Sequence, residues 1–321
     1  MKKRPRLGLA IGGGAAYGLS AIGVLKVLEE NEIKVDIISG TSIGSVIGAL
    51  YSSGMKSFRI EDELFSTEWK ELLDFVLPEK GLVSGKKIEN YIRELIKNKT
   101  FEQLEIPLYI TAVDIEKGQE VIFNKGDVAS AVRASISIPG VFTPVRMGEM
   151  VLVDGGVMDP IPTGVLKKHC DVIIAIDFRK EIKPYSYASA EKEEGEFLKI
   201  IEHDFIETEV KYFKESLKHG KLRVPVPFRW FLSPKYISNL ITKRGTYTSQ
   251  SNILGITKKS YHIMFNELAN LKLQIHKPDI LIKPELSKMN WLEFDKGEYA
   301  MKQGELATKE QINKILKILK R

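Results

Sequence analysis

The sequence contains a single cysteine, Cys170, among 321 residues. One cysteine cannot form a disulfide within the chain, which excludes the small secreted modules that disulfides hold together. Scarcity of cysteine is also typical of proteins in a reducing compartment. We therefore predict a cytoplasmic location.

Long hydrophobic runs are missing as well. No stretch reaches the roughly 18 consecutive apolar residues that a membrane-spanning helix requires, so we expect at most a peripheral association with membranes. The basic residues 2–6 followed by Leu7–Ile11 imitate a signal peptide, but Gly12 interrupts the apolar part at once. We interpret Leu7–Ile11 as a first buried strand instead.

Charge of one sign does not dominate the chain. Lys and Arg number 48 against 42 Asp and Glu, which gives a net charge of +6. This modest excess permits contact with an anionic surface, and no nucleic-acid-binding motif accompanies it, so we expect no nucleic-acid partner. Hydrophobic residues at 43% and charged residues at 28% are typical of a globular protein, with one large domain or a core with an appendage.

Short apolar runs alternate with segments of helical spacing in the first 180 residues. Strands are predicted at Leu7–Ile11 and at residues 35–39, 108–114, 120–123, 151–153 and 172–177. Helices are predicted at residues 19–30, 42–51, 58–65 and 86–96. This alternation predicts a three-layer α/β/α fold in which a mainly parallel central sheet lies between helices.

The C-terminal part of the sequence is more varied. Residues 190–209 are rich in glutamate and predict an exposed helix or surface segment. Residues 220–245 contain aromatic and basic side chains but no acidic ones, and Trp230 and Phe231 lie near the centre. This basic and aromatic segment is either an interfacial patch or lid that contacts membrane, or a surface that packs on the core or on another subunit. Residues 280–283 predict a strand and residues 312–319 an amphipathic helix.

Gly40, Ser42 and Gly44 form a glycine-x-serine-x-glycine pattern where a predicted strand is followed by a predicted helix. A sharp strand-to-helix turn needs small neighbours because its serine takes a strained conformation. Such a turn exposes the hydroxyl at a helix N-terminus, where amides and the helix dipole favour developing negative charge. The alternative is a flexible loop in which Ser42 only caps the helix.

A glycine-rich loop, Gly12, Gly13 and Gly14, follows the first predicted strand. A dinucleotide fingerprint would need another glycine at Tyr17, and a nucleotide P-loop would need lysine at Leu19. An oxyanion-binding loop needs only backbone donors, so it remains possible beside a purely structural turn.

Asp154, Gly155 and Gly156 follow the apolar residues 151–153, which places a carboxylate at a predicted strand end, where ligands bind in open α/β sheets. The alternative is an ordinary turn, because Asp-Gly is a common turn dipeptide.

A nucleophilic serine also needs a base, which is usually a histidine. The chain has five histidines, and none of them lies in a glycine-rich setting: His169, His203, His219, His262 and His276. We interpret each as a surface or structural residue. A carboxylate could replace histidine if the fold holds it within about 3 Å of the hydroxyl.

The glycine loop, the serine turn and the Asp-Gly-Gly sequence, in this order, resemble the patatin-like phospholipase family of bacterial type. The resemblance also covers residues 134–142 and 152–162, so it extends over about residues 6–180 and more loosely over residues 278–320. It implies a Ser-Asp dyad, with Ser42 as nucleophile and Asp154 as base. It further implies an oxyanion hole and supporting motif glycines: Gly12, Gly13 and Gly14 in the hole, and Gly40, Gly44, Gly155 and Gly156 in the motifs.

The resemblance implies a serine lipid acyl hydrolase that cleaves fatty-acyl esters of phospholipids or lysophospholipids. The implied domains are a catalytic core at residues 1–180 and an extension at residues 181–321 that packs on it. No metal or cofactor is implied, the partner is a lipid or acyl-ester substrate, and the oligomeric state stays open. The alternatives are a general carboxylesterase or thioesterase on soluble acyl groups, and a non-catalytic lipid-binding protein of the same fold.

Two residues depart from the family pattern. Tyr17 occupies a position where bacterial members usually carry arginine or lysine, which leaves the headgroup preference open. Asp159 stands where asparagine is frequent, and we expect this change to alter the support around Asp154.

Overall fold

The computed structural model describes residues 4–76, 82–179 and 253–320. The chain divides into two compact units: the first comprises Met1–Glu181 and Ile263–Arg321, and the second is Ile182–His262. The first unit thus includes residues that the sequence assigns to the extension. The glutamate-rich residues 190–209 and the basic and aromatic segment 220–245, with Trp230 and Phe231, lie outside the described residues.

The described residues form strands and helices in alternation. The strands are β1 (Leu7–Ile11), β2 (Ile37–Thr41), β3 (Leu108–Asp114), β4 (Gln119–Phe123), β5 (Val145–Met147), β6 (Met150–Asp154), β7 (Val172–Ile176) and β8 (Ile280–Ile282). The helices are α1 (Ser20–Glu30), α2 (Ile43–Ser52), α3 (Ser57–Ser66), α4 (Lys86–Leu95), α5 (Val128–Ser135), α6 (Thr163–Leu166), α7 (Ile253–Ile275) and α8 (Gly297–Leu319). Short 3-10 helices include Ala15–Leu19 and Gly155–Val157.

The strands of the described residues make one sheet in the order β5-β6-β3-β2-β1-β7-β8, and β4 also pairs with β3. Strands β3, β2, β1, β7 and β8 are parallel, whereas β4 and β6 run antiparallel to β3, and β5 antiparallel to β6. The predicted mainly parallel α/β fold is confirmed, with an antiparallel part at one edge. Parallel strands bring their carboxyl ends to one edge of the sheet, where β1, β2 and β7 lead into their loops.

Apolar side chains cover both faces of the sheet. On one face, Leu9 and Ile11 of β1 belong to the main core together with residues of α1, α2 and α8. On the other face, Ala10 belongs to a second cluster with Leu166 of α6 and Ala269 of α7. This alternation along β1 produces the three layers.

The free cysteine lies beneath β1. A side chain at Gly8 would place its Cβ 2.5 Å from the Cys170 sulfur, so glycine is needed for this close approach. The sulfur donates a hydrogen bond to the Leu166 carbonyl at 3.3 Å. Burial raises the pKa of the Cys170 thiol to about 11.

Most predicted elements occur within a few residues of their expected bounds, but helix α8 begins at Gly297 instead of residue 312. Strand β2 begins and ends two residues later than expected, because β1 pairs with Ile37 through Gly40. Helix α5 and strand β5 were not predicted. Among the described residues, no helix is both long enough and apolar enough to cross a membrane.

Candidate functional site

Ser42 lies in the turn between β2 and α2 and takes a strained backbone conformation, with φ 55° and ψ −125°. The turn is tight. A Cβ at Gly40 would lie 2.4 Å from the Gly44 carbonyl oxygen, and one at Gly44 would lie 2.2 Å from the Ile11 carbonyl oxygen. Both flanking glycines are therefore needed to let α2 start against β1 and β2.

The backbone of Ser42 is held on both sides, while its hydroxyl is not used for capping. The Ser42 amide donates to the Ser135 hydroxyl at 2.9 Å, and the Ser42 carbonyl accepts from the Ser45 hydroxyl at 2.6 Å. The Ser42 side chain makes no capping hydrogen bond to α2. A capping role does not account for this serine.

Sheet pairing brings Asp154 to Ser42. Strand β4 occupies one edge of β3, so β2 and β6 share the other edge in consecutive stretches. Thr41 lies opposite Thr111, and Asp154 lies opposite the next residue, Ala112. Because β2 and β6 run in opposite directions here, their carboxyl ends meet.

The Asp154 carboxyl is buried, with 2% of the residue exposed, and only one of its two oxygens accepts a hydrogen bond from the described residues. Oδ1 accepts from the Gly156 amide at 2.7 Å, whereas Oδ2 has no partner of full hydrogen-bond geometry among the described residues. Burial raises the pKa of Asp154 to about 6, against the opposing effects of the Ser42 hydroxyl and the Gly156 amide. The hydroxyl that acts on this pKa is thus a close neighbour of the carboxyl.

The glycine loop passes close to the serine turn, and its three amides differ in whether they donate a hydrogen bond. A Cβ at Gly13 would lie 3.4 Å from the Ser42 Cβ. The Gly12 amide donates to the Ile176 carbonyl at 3.2 Å and the Gly13 amide to the Pro160 carbonyl at 2.9 Å. Of the three predicted oxyanion donors, only the Gly14 amide has no acceptor in the described part of the chain.

The Ile43 amide at the start of α2 is a further donor without an acceptor among the residues described. The first amides of a helix have no intrahelical partner, so they can bind an anion. This amide is not among the donors predicted from the sequence, although its position directly after Ser42 is visible in the motif.

Several supporting side chains were also missed by the motifs. Arg133 donates to the Ser137 hydroxyl at 2.6 Å, and the Ser137 carbonyl accepts from the Asp154 amide at 2.9 Å. Ser135, which holds the Ser42 amide, lies on the same short segment. The signal available was residues 134–142, which carry the resemblance but contain no residue with an assigned role.

Tyr17 does not act as a substitute cation. Its hydroxyl donates to the Met289 carbonyl at 3.3 Å, which links the 3-10 helix after the glycine loop to the C-terminal part. The described histidines lie elsewhere, as expected: His169 stacks on Tyr109 at 5.0 Å, the His276 ring lies against Gly164, and the exposed His262 makes an edge contact with Tyr261.

Ser42 and Asp154 are nearly closed to solvent, because Ser42 is 6% exposed and the ring of Phe265 on α7 contacts Gly156. A cavity of about 630 Å³ lies elsewhere and is lined by Arg179, Leu271 and Lys283, among others. No group of three metal-ligating side chains occurs in residues 4–76, 82–179 and 253–320.

Comparison with known proteins identifies relatives for the part of the chain that carries this site. Residues 9–167 match the model of the patatin-like phospholipase family. An uncharacterized NTE family protein of Mycobacterium bovis is 34% identical over 179 residues, which are 54% of this chain and 49% of that protein. Lysophospholipase NTE1 of Phaeosphaeria nodorum is 35% identical over 178 residues, 53% of this chain and 12% of that protein.

Among solved structures, VipD from Legionella pneumophila matches with a TM-score of 0.48 at 13% identity, covering 98% of this chain and 67% of that one. The chain spans about half the length of the mycobacterial relative and a much smaller share of the fungal one. Through residues 9–167, the chain belongs to the patatin-like phospholipase family.

Proposed function

We propose that this protein is a serine lipid acyl hydrolase with a Ser-Asp dyad, in which Ser42 is the nucleophile and Asp154 the base. The observation that carries the proposal is the meeting of β2 and β6 on β3, which puts a strained serine beside a buried carboxyl of raised pKa. Membership of the patatin-like phospholipase family supports the reaction class.

The reaction proceeds in two halves. The Ser42 hydroxyl oxygen attacks the ester carbonyl while Asp154 takes its proton, and the tetrahedral intermediate then expels the alcohol or lysolipid, which receives that proton. Water next attacks the acyl-enzyme, again with Asp154 as base. The fatty acid leaves and the Ser42 hydroxyl is restored.

The oxyanion of each intermediate needs donors that are already oriented. The amides of Gly14 and Ile43 are free to serve, whereas those of Gly12 and Gly13 would first have to leave their carbonyl partners. We therefore refine the hole to Gly14 and Ile43, with Gly12 and Gly13 shaping the loop.

The raised pKa of Asp154 suits a base that works near neutrality. A carboxylate of ordinary pKa is too weak a base to take a proton from a hydroxyl efficiently, and burial strengthens it. At pH 7 an Asp154 with a pKa of about 6 is still mostly ionised, so it is ready to accept.

The substrates we propose are fatty-acyl esters of phospholipids or lysophospholipids. The family and the lysophospholipase among the relatives support this class. The single cysteine supports a cytoplasmic location for the reaction.

Peripheral contact with a lipid surface follows from such substrates. Among the described residues, exposed apolar side chains on α7 support it: Met264 at 62%, Leu271 at 53% and Ile275 at 70%. Vesicle sedimentation tests the contact. Leu271→Ser with Ile275→Ser should lower binding, whereas Phe58→Ser, an equally exposed change on α3, should not, and equal binding by all variants would reject the α7 contact.

Labelling with a fluorophosphonate, followed by peptide mass mapping, tests the nucleophile. We expect modification of Ser42, none in Ser42→Ala, and normal labelling in Ser53→Ala, whose hydroxyl bonds the Leu50 carbonyl beyond the turn. Hydrolysis of p-nitrophenyl esters of increasing chain length, compared with phospholipid vesicles, separates a lipid hydrolase from an esterase on soluble substrates. Labelling of another serine, or hydrolysis that survives Ser42→Ala, would show the assignment to be wrong.

A further inference from the structure

Asp159 lies on the loop that connects the three parts of the candidate site. Its amide donates to the Gly155 carbonyl at 2.8 Å, next to Asp154. Its carbonyl accepts from the Thr41 hydroxyl at 2.8 Å, directly before Ser42. The following residue, Pro160, accepts from the Gly13 amide at 2.9 Å. A shift of this loop would therefore move all three parts together.

The side chain of Asp159 is buried and faces another carboxyl. Only 2% of Asp159 is exposed, and its Oδ1 has no hydrogen-bond donor among the described residues. The buried Oε1 of Glu120 on β4 likewise has no hydrogen-bond donor among the described residues. The two carboxyls lie close together. Glu120 raises the pKa of Asp159 both by its charge and by a hydrogen bond, which acts only between neighbouring groups. Two ionised carboxyls can only accept, so one shared proton would satisfy both buried oxygens at once.

The charge that remains after sharing one proton has a partner on α7. Lys272 places its Nζ 3.8 Å from Asp159 Oδ2. Burial and Glu120 together raise the pKa of Asp159 to about 7, while Lys272 and the Ile161 amide act in the opposite direction. In the described chain these are the groups that bear on Asp159 from β4, α7 and its own loop. With one proton, the three side chains are neutral in sum.

We propose that Glu120 and Asp159 form a positioning pair that shares one proton and holds the loop of residues 154–160 against β4. Loss of that proton leaves two buried carboxylates in contact, and their repulsion displaces the loop that carries Asp154 and supports the glycine loop. The inference rests on the proposed hydrolase function, and it assigns a role to residues outside the dyad.

The pair gives the pH profile of kcat a second limb on the alkaline side. Above the titration of the shared proton, activity should fall about tenfold per pH unit, as for any step that needs a single proton in place. This limb is separate from the acidic limb, which reports ionisation of the base Asp154.

Two amide variants test the pair directly. In Glu120→Gln the amide nitrogen donates to Asp159 at every pH, and in Asp159→Asn it donates to Glu120, so both variants should keep kcat at the optimum and lose the alkaline limb. Glu116→Gln, an exposed change on the same β3–β4 turn, is the control and should leave the limb in place.

A third variant gives the direction of the electrostatic effect. Lys272→Met removes the cation that lowers the pKa of Asp159, so the alkaline limb should move to higher pH. A purely structural role would lower thermal stability in these variants without moving or removing the limb.

Thermal unfolding gives a readout that does not depend on turnover. The gain in Tm of Glu120→Gln over the unmodified protein should be larger at pH 8, which lies above the Asp159 pKa of about 7, than at pH 5. An unmodified protein without an alkaline limb, a limb unchanged in Glu120→Gln, or an equal Tm difference at both pH values would each overturn the positioning pair. Absence of any hydrolysis would instead overturn the proposed function, while the Tm difference would still test the pair, so the two failures are distinguishable.

Discussion

Asp154 and Asp159 lie five residues apart, are equally buried at 2% exposure, and both have a raised pKa. Their neighbours differ. Asp154 meets uncharged donors, the Gly156 amide and the Ser42 hydroxyl, whereas Asp159 meets the charged groups of Glu120 and Lys272.

Burial alone therefore does not make a carboxyl a base. A carboxyl among neutral donors, with one oxygen free beside a hydroxyl, can accept that proton and give it back. A carboxyl between another acid and a lysine interacts with both charged groups, and its proton stabilises the local structure. The first aspartate is thus suited to proton transfer and the second to positioning.

Replacing each aspartate by asparagine gives the largest expected difference between the two residues. Asp154→Asn removes the proposed base, so kcat should fall by about 10²- to 10⁴-fold, the usual contribution of a general base. Asp159→Asn keeps a hydrogen-bond partner for Glu120, so kcat at the optimum should stay within a few-fold. Steady-state kinetics with one ester substrate measure both, and comparable losses in the two variants would contradict the assigned roles.

Asp154→Asn should also stabilise the protein. The folded-state pKa of about 6 exceeds the ordinary value of 3.8, so the folded state holds an extra proton between these values, and stability falls as the pH rises through about 6. Asparagine carries no such penalty. The gain in free energy of unfolding should approach about 3 kcal/mol above pH 7 and vanish below about pH 4.

Urea unfolding at pH 8 and pH 4 measures this gain, and Asp62→Asn serves as the control because Asp62 is exposed on α3. A destabilised Asp154→Asn at pH 8 would show that the carboxylate is better solvated in the fold than its burial indicates.

Thr41, directly before Ser42, connects the serine turn to the Asp159 loop, because its hydroxyl contacts both the Asp159 carbonyl and the Thr111 hydroxyl, the latter at 2.7 Å. Thr41→Val keeps the shape but loses these bonds, so we expect a loss of about 1–3 kcal/mol in stability together with a lower kcat.

Thr308→Val on α8 is the matched control, since it removes a buried hydroxyl that bonds the Gly304 carbonyl at 2.7 Å. It should cost stability without changing kcat. Thermal melts with kinetics distinguish the two, and an unchanged kcat in Thr41→Val would uncouple the loop from the nucleophile.

The sequence predicts the elements around the glycine loop well, because their apolar residues are contiguous. Leu7–Ile11 is found with the predicted bounds, and the helix that follows Ser42 begins at Ile43. Strand β2 was misplaced by two residues because Gly40 and Thr41 carry no hydrophobic signal, although they pair with β1 and β3.

The relation between Ser42 and Asp154 came from resemblance to a family, not from local pattern. Their approach depends on β2 and β6 each pairing with the same edge of β3, which brings together two residues more than 100 positions apart in the chain. The contact between Glu120 and Asp159 could not be predicted from the local sequence either, since it joins a strand to a distant loop. Of these two residues, only Asp159 is singled out by the sequence, because it stands where asparagine is frequent.

Cys170 offers a use that is unrelated to catalysis. With its sulfur under Gly8 and a thiol pKa of about 11, it is almost wholly protonated at neutral pH and should react slowly with alkylating reagents. Cys170 is partly exposed, so the small thiolate fraction, which follows from its raised pKa, limits the rate. A faster alkylation in a variant would therefore report loosened packing of this thiol against the first strand, in a chain that needs no engineered probe.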